Sequence, residues 1–407
     1  MNRPACLLAA IVACLSVDAA VAQSGGNPPQ SPRATMTQDS TAENAKASLG
    51  EAGTGSYEFR LSYYDNDDNG DGNPFLDESL SVIEPVVYFD LNVTDTFKVW
   101  SQLSVDVVSS ASIERLRKYP QQSGASGDLY IGVDLGVTHQ STPEVQLGGN
   151  VHVSNEYDYN SLGLGAFLAR DYDGHNTTLK ATGSVYLDSL DVIRFNGVNE
   201  GTDDRLALNG AIDWYQVINP RTHGEFGLGL TYQDGMLSTP YNAVVVLDPT
   251  DPPNNNLPNY DRGTEIAEVL PDTRFRGALH GRVRHAVSDH WALELGGRLY
   301  ADDWGVVSST LEPRAYTWLV QDRLRLRLRY RFYAQSAADG YGSSFLLTAP
   351  AIRTQDSDLG AFDAHTMGAR LDWFDGGGWR VDVGGDYTLR SDGLDFLFLS
   401  IGSSRKF

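Results

Sequence analysis

The sequence lacks long apolar segments and has very few cysteines. Beyond the N-terminus no apolar run approaches the ~18 residues of a transmembrane helix, which excludes a helical membrane protein. The two cysteines, Cys6 and Cys14, both fall in the N-terminal segment, so its removal would leave no thiol for disulfides, thiolate metal sites or nucleophiles. Basic residues are also scarce, because 31 Lys and Arg face 53 Asp and Glu, a net charge of −22. That balance argues against nucleic acid or an anionic membrane surface as a partner.

The first residues have the pattern of an export signal. Arg3 precedes an apolar stretch at residues 5–17, and Ala20-Val21-Ala22 forms a small-x-small cleavage site. We therefore expect residues 1–22 to be a signal peptide, with lipoprotein processing at Cys14 as the alternative. Residues 23–54 are too polar to bury a core, and they predict a flexible periplasmic tail.

Strand-like alternation dominates the rest of the chain. Apolar and polar residues alternate with period two over about sixteen segments, such as residues 57–63, 97–107 and 129–137. A soluble β-sandwich would alternate too, so the connections decide between the two architectures. Tight connections, such as residues 92–95 and 141–144, alternate with generally longer ones.

Short turns on one side and longer loops on the other are typical of outer-membrane barrels. The sequence therefore predicts an all-β fold over residues 55–407, an antiparallel transmembrane β-barrel of about 16 strands with short periplasmic turns and long extracellular loops. We expect it to be exported to the outer membrane, where its outer face contacts lipid. The C-terminal Phe407 is expected to be the signal that the barrel-insertion machinery reads.

Four segments carry a family resemblance. They are residues 103–112 (LSVDVVSSAS), 154–159 (SNEYDY), 299–305 (LYADDWG) and 330–341 (YRFYAQSAADGY). In order and spacing they resemble an uncharacterised family of Gram-negative outer-membrane barrels, domain of unknown function 3570. The resemblance implies export and a barrel but supplies no reaction. Relatives encoded near flavin-transfer and thioredoxin-like proteins hint at a role in redox export.

The predicted topology brings acidic residues to one end of the barrel. The four family-like segments end outward-running strands, so their carboxylates would share the extracellular end. We hypothesise an acidic vestibule there, and the alternative is that these residues only order the loops through turn hydrogen bonds. Its members are Asp106, Glu156, Asp158, Asp302, Asp303 and Asp339.

A ladder of arginines is the clearest charged pattern. Arginines facing lipid at the bilayer midplane would cost about 2 to 4 kcal/mol each, so this face must point into the barrel. We expect the ladder to line a constriction in an aqueous lumen, and the alternative is a salt-bridge network that packs a closed lumen. The predicted lumen residues are Arg323, Arg325, Arg327, Arg329, Arg331, Arg282, Arg284 and Arg298.

The first long loop resembles half of a calcium-binding loop. Asp65, Asp67, Asn69 and Asp71 place oxygen ligands at alternate positions, and Gly70 follows at the sixth. Leu76 takes the twelfth position, where the motif requires glutamate. Ca²⁺ in this loop is a hypothesis, with an ordinary hydrated acidic turn as the alternative, and no other cofactor is expected.

The histidines do not support catalysis. The chain has 8 His, and they form no diagnostic catalytic motif, so we do not expect an enzyme. The sequence instead favours porin-like passage of small hydrophilic solutes through the charged lumen. The alternative is a non-conducting barrel that acts as a scaffold or sheath for a periplasmic or surface partner, with a link to redox export.

Overall fold

The computed structural model describes residues 49–67, 79–110, 128–247 and 264–407. These residues contain nineteen strands. The strands are β1 (Gly55–Asp67), β2 (Ser79–Thr94), β3 (Phe97–Ser110), β4 (Asp128–Thr142), β5 (Val145–Asn155), β6 (Tyr159–Tyr172), β7 (Thr177–Ile193), β8 (Asn199–Asn219), β9 (Thr222–Gly235), β10 (Ala243–Leu247), β11 (Thr264–Ala267), β12 (Thr273–Ala286), β13 (Trp291–Asp302), β14 (Val307–Val320), β15 (Leu324–Gln335), β16 (Phe345–Leu346), β17 (Phe362–Phe374), β18 (Trp379–Arg390) and β19 (Asp395–Lys406).

Sixteen of these strands form one closed antiparallel barrel. Each pairs with its neighbour around the ring, and β1 closes the barrel by pairing with β19, for example through Leu61 opposite Ile401. Closure leaves no free strand edge, so every backbone polar group of the wall can find a partner within the sheet. The predicted fold class is therefore confirmed. Among the described residues, no helix is long and apolar enough to cross a membrane.

The two faces of the wall differ in chemistry. Along β4 the apolar side chains point outward and are exposed, while Tyr130, Asp134 and Thr138 point inward. The same division repeats in β8, where Leu208 and Ile212 are exposed and Asp213 is buried. An apolar outer belt around a polar interior is what a barrel surrounded by lipid requires.

The connections fall into two sets, as predicted. The tight turns lie at one end of the barrel, together with the start of β1 and the end of β19. We call this the short-turn end and the opposite one the long-loop end. The connection at residues 190–204 is mostly paired strand, because β7 and β8 continue as a hairpin with register from Ile193 opposite Asn199. Alternating polarity weakens there, since strands that extend beyond the bilayer no longer need an apolar face.

Two long-loop connections fold together instead of projecting separately. β10 pairs with β11 from the same connection and with β16 from the connection after β15, in a small three-stranded sheet. Next to it the two connections share an apolar core with the turn after β13. Its buried members are Leu237, Leu270, Trp304, Val306, Ala338 and Leu359. We call the β10, β11 and β16 sheet with this core the mouth cluster.

Three predictions concern residues largely outside the described ranges. Residues 1–22, expected as signal peptide, and residues 23–48 of the expected tail lie outside them, as do Asn69 and Asp71 of the calcium hypothesis. These expectations remain predictions. The first barrel strand begins at Gly55.

Candidate functional site: the charged lumen

Four arginines of the predicted ladder line the inner face of one strand. Arg325, Arg327, Arg329 and Arg331 alternate along β15 with outward residues such as the exposed Leu328. Period-two geometry produces this split, because successive side chains of a strand point to opposite faces. Arg323 lies apart from them: it is exposed in the turn before β15, and its carbonyl accepts a hydrogen bond from the Phe374 amide at 2.8 Å.

Carboxylates from neighbouring strands interleave with the ladder. Arg329 lies 3.7 Å from Glu312 of β14 and 3.6 Å from Asp386 of β18. Arg314, also on β14, pairs with Glu312 and reaches Glu294 of β13 at 3.2 Å. Sequence reasoning did not single out Glu294 and Glu312. Both lie in the polar phase of their strands, so a register of inward positions on every strand would have found them.

A second ion-pair network joins four strands at the short-turn half of the lumen. Asp382 accepts from Arg60 at 2.9 Å and forms an ion pair with Arg370 at 2.7 Å. Asp372 accepts from Arg325 at 3.1 Å and from Arg380 at 3.0 Å. Each of these carboxylates therefore balances two guanidinium groups, which lowers the cost of holding the charges in a confined interior.

The other three predicted lumen arginines also face inward, each in a different setting. Arg282 lies between two carboxylates, 3.9 Å from Glu225 and 3.8 Å from Glu294. The guanidinium of Arg284 stacks 3.8 Å over the ring of Tyr316. Arg298 lies on β13, directly opposite Thr310 of β14 in the strand pairing.

The charges are unevenly distributed around the ring. On the inner face of β12–β18 arginines outnumber carboxylates, whereas the inner face of the opposite strands β2–β7 carries Glu84, Asp90, Asp106, Asp134 and Asp188 against Lys98 and Lys180. Carboxylates therefore lie both among the arginines and across the lumen from them. A net positive wall thus faces one on which carboxylates outnumber basic side chains.

Three of the predicted vestibule residues order the turn after β13. Asp302 accepts hydrogen bonds from Arg274 at 2.9 Å, from the Tyr300 hydroxyl at 2.7 Å and from the Val306 amide at 2.9 Å. Asp303 accepts from the Phe275 amide at 2.9 Å. Asp339 contacts Gly305, whose φ of +88° suits glycine. These contacts match the alternative in which the carboxylates order the loops.

The other three vestibule residues lie elsewhere on the long-loop end. Asp106 is buried on the inner face of β3. Glu156 and Asp158 occupy the β5–β6 turn. Burial raises the pKa of the nearby Tyr241 phenol well above its ordinary value, and the charges of Asp158 and Glu156 raise it further. Tyr241 precedes β10, so this turn borders the mouth cluster.

The mouth cluster is tied to lumen-facing residues. Arg390 of β18 donates to the Ser357 carbonyl at 3.1 Å and pairs with Asp358 at 2.5 Å. Gln335 of β15 donates to the Asp358 carbonyl at 2.9 Å. Because Arg390 and Gln335 belong to the inner face of the wall, the single 3-10 turn Ser357–Leu359 lies over the lumen. The mouth cluster therefore reaches inward across the long-loop end.

A buried glutamate fastens the two connections of the mouth cluster. Glu268, 2 % exposed, accepts from the Thr239 amide at 2.7 Å and from the Thr354 hydroxyl at 2.5 Å. Thr239 and Thr354 belong to different connections. Burial raises the pKa of Glu268 from its ordinary 4.5 to about 7, against the opposing effect of these hydrogen bonds.

Two predicted residues lie at the ends of the wall. The Phe407 ring packs 6.5 Å from Tyr57 and 6.3 Å from Phe89, and its backbone pairs with Gly55. Its role as an insertion signal stays a prediction. Asp65 accepts hydrogen bonds from Tyr63 at 2.9 Å and from Ser81 at 2.7 Å. Both bonds use the same carboxylate oxygen, Oδ2.

Calcium binding by the first loop also stays a prediction. If the loop binds Ca²⁺, calorimetric titration of the mature barrel will show saturable heat that Asp67→Ala removes. Absence of heat in the unchanged protein would leave an ordinary acidic turn.

A closed antiparallel ring with an apolar belt and a charged interior defines this protein as a transmembrane β-barrel of the outer-membrane class. The chain belongs to the family described as a protein of unknown function, DUF3570, whose model matches residues 127–393. The predicted family is therefore confirmed. No curated protein sequence matches the chain.

Solved structures of several outer-membrane barrels are similar in outline. A bacterial polysaccharide outer membrane secretin aligns with 11% identity and a TM-score of 0.48 over 86% of this chain and 98% of its own. OccK1 (OpdK) of Pseudomonas aeruginosa aligns with 9% identity and a TM-score of 0.42 over 88% of this chain and 100% of its own. The CymD monoaromatic hydrocarbon channel has 8% identity and a TM-score of 0.41, covering 88% and 90%.

Proposed function

We propose that this barrel passes small hydrophilic solutes across the outer membrane and favours anions. The observation that carries the proposal is the inner face of β12–β18, where arginines outnumber carboxylates. A positive surface inside a low-dielectric tube raises the local concentration of anions and lowers that of cations.

The mouth cluster limits what can pass. Because the turn Ser357–Leu359 is held over the lumen by Arg390 and Gln335, solutes from the long-loop end meet a covered entrance. Passage then requires either a narrow route beside the mouth cluster or its movement. This arrangement favours a selective channel for small solutes over a wide general porin.

One observation favours a second function. The inward contacts of the mouth cluster, with its own sheet and apolar core, are also what a permanently closed barrel would have. In that case the barrel serves as a non-conducting scaffold or sheath for a periplasmic or surface partner. The redox-export link implied by the family resemblance belongs to this alternative.

Single-channel recording separates the two functions. The purified mature barrel is inserted into planar bilayers, and conductance and reversal potential are measured under a salt gradient. The test variant is Arg327→Ala/Arg329→Ala. The matched control is Arg323→Ala, which removes the same kind of charge from the exposed turn outside the lumen.

The expected result is a wild-type channel with anion preference that falls in the double variant. A charge about 7 Å from a permeating ion contributes roughly 0.6 kcal/mol in water, so two charges raise the local concentration of anions roughly sevenfold and lower that of cations by a similar factor. Arg323→Ala should leave the permeability ratio unchanged. If the folded barrel shows no conductance, the scaffold function is supported. If the wild type, the double variant and Arg323→Ala have equal permeability ratios, Arg327 and Arg329 do not line the conduction pathway.

A further inference from the structure

Three potential metal ligands meet on the lumen wall of the short-turn half. Asp213 of β8 and His280 of β12 lie in one row, separated by Gly227 of β9. Glu225 of β9 lies two residues nearer the turn. The imidazole Nε2 of His280 is 3.4 Å from Asp213 Oδ1 and 3.6 Å from Glu225 Oε1, and one ligand atom of each residue lies within 4.8 Å of the others.

The two carboxylates are buried with few donors. Asp213 is 1 % exposed and Glu225 is 3 % exposed. Within the described part of the chain, three of their four carboxylate oxygens accept no hydrogen bond. These are both oxygens of Asp213 and Oε2 of Glu225. Burying a carboxylate without hydrogen bonds is costly, and buried charges are as a rule paired or coordinate a metal. His280, less buried, leaves one side of the group open to the lumen.

Glycine at position 227 makes the convergence possible. A Cβ placed on Gly227 would collide with the Asp213 carboxylate and with the His280 ring. Two inward side chains two strands apart are normally about 10 Å from each other, so they touch only when the residue between them has no side chain. The glycine therefore shapes a cradle that any other residue would fill.

We propose that Asp213, Glu225 and His280 bind a divalent transition-metal ion of the Zn²⁺ class. Metal–ligand bonds of about 2.1 Å in tetrahedral geometry separate neighbouring ligand atoms by roughly 3.4 Å. The two distances from His280 Nε2, 3.4 and 3.6 Å, match that edge. One imidazole and two carboxylates suit Zn²⁺ or a similar first-row ion, with the lumen side providing a water ligand.

Two cations balance the carboxylates and compete with the metal. Lys180 of β7 faces Asp213 in the register and interacts electrostatically with Asp213 and Glu225. Arg282 is 3.9 Å from Glu225 but also 3.8 Å from Glu294, so it keeps a partner when the metal binds. Neutralising Lys180 should therefore strengthen metal binding, whereas removal of a ligand should weaken it.

The test is isothermal titration of the folded full-length mature barrel, purified with a histidine-free tag, with ZnCl₂. Co²⁺ absorption reports the coordination geometry. The variants are His280→Ala, Lys180→Gln and, as matched control, His152→Ala, a lumen-facing histidine 3.1 Å from Asp134. Heat-modifiable migration in SDS gels establishes that each variant is folded.

We expect one saturable Zn²⁺ site per barrel. Since loss of a residue that merely orients a ligand typically costs 10- to 100-fold in metal affinity, His280→Ala should weaken binding by at least about 100-fold. Lys180→Gln should tighten it, and His152→Ala should leave it unchanged. Absence of a saturable site, or a site that survives His280→Ala or is lost in His152→Ala, would overturn the proposal whether or not the barrel conducts.

Discussion

Protonation of Glu268 should control how firmly the mouth cluster is closed. In the closed arrangement this carboxyl group is buried, and its pKa is raised from 4.5 to about 7. When the connections separate, water reaches the group and its pKa returns to the ordinary value. A raised pKa in the closed form favours the protonated group there, so closure is most stable below about pH 4.5 and weakens as the pH rises towards 7.

The size of the effect follows from the two pKa values. At about 1.36 kcal/mol per pH unit, the difference between 4.5 and about 7 amounts to about 3 kcal/mol. Glu268→Gln keeps a neutral side chain at every pH. Its carbonyl can accept from the Thr239 amide, and its amide can donate to the Thr354 hydroxyl, so the variant imitates the protonated form.

Amide hydrogen exchange measures this closure directly. The reporting amides are those of β10, such as Val245, whose amide donates to Gln355 at 2.6 Å. Wild type and Glu268→Gln are compared at the same pH, because intrinsic exchange then cancels. Relative to Glu268→Gln, we expect about fourfold lower protection in the wild type at pH 5 and roughly 200- to 300-fold lower protection at pH 8.

A control lies on the same hairpin. Glu265→Gln in β11 removes a carboxylate that is less buried than Glu268. In this variant the protection of the β10 amides should equal that of the wild type across the pH range. A wild-type to Glu268→Gln ratio that stays constant from pH 5 to pH 8 would refute the reasoning. So would an equal change produced by Glu265→Gln.

Two stability predictions follow from buried ion pairs. Gly402→Val places a Cβ about 2.7 Å from Asp382 and 2.8 Å from Arg60, so it should break the Arg60–Asp382 pair and cost on the order of 3 to 5 kcal/mol. Asp302→Asn leaves Arg274, 1 % exposed, without its anion and should cost a similar amount. Urea unfolding in detergent, followed by tryptophan fluorescence, measures both.

Each of these two changes has a matched control. Gly210→Val adds the same atoms on the outer face of β8, where the nearest atom outside the neighbouring residues is 4.0 Å away, and should change the free energy of unfolding little. Asp303→Asn removes a charge but keeps an oxygen that can accept from the Phe275 amide, so it should cost no more than about 1 kcal/mol. If either control is as damaging as its partner, the burial of the ion pairs is not the cause.

The wall of the barrel was predictable because lipid imposes one rule on every strand. The period-two polarity of each strand, short turns such as residues 141–144 and an even number of strands all follow from that rule. Each of these features can be read from the sequence one segment at a time. The Arg325 to Arg331 ladder was predictable for the same reason, since an outward arginine is costly. Arg323 lay outside the ladder because alternation does not mark where a strand ends and a turn begins.

The side-chain partnerships were not predictable, because they depend on which strands are neighbours and in what register. Glu312 meets Arg329 across one strand pairing, and Asp213 meets His280 only because Gly227 stands between them in the same row. The mouth cluster depends on a still longer-range choice, in which β10 pairs with β16 about a hundred residues away. Lipid dictates the outer face one strand at a time, whereas the interior is determined by the whole ring, so the lumen's function has to be tested on the closed barrel.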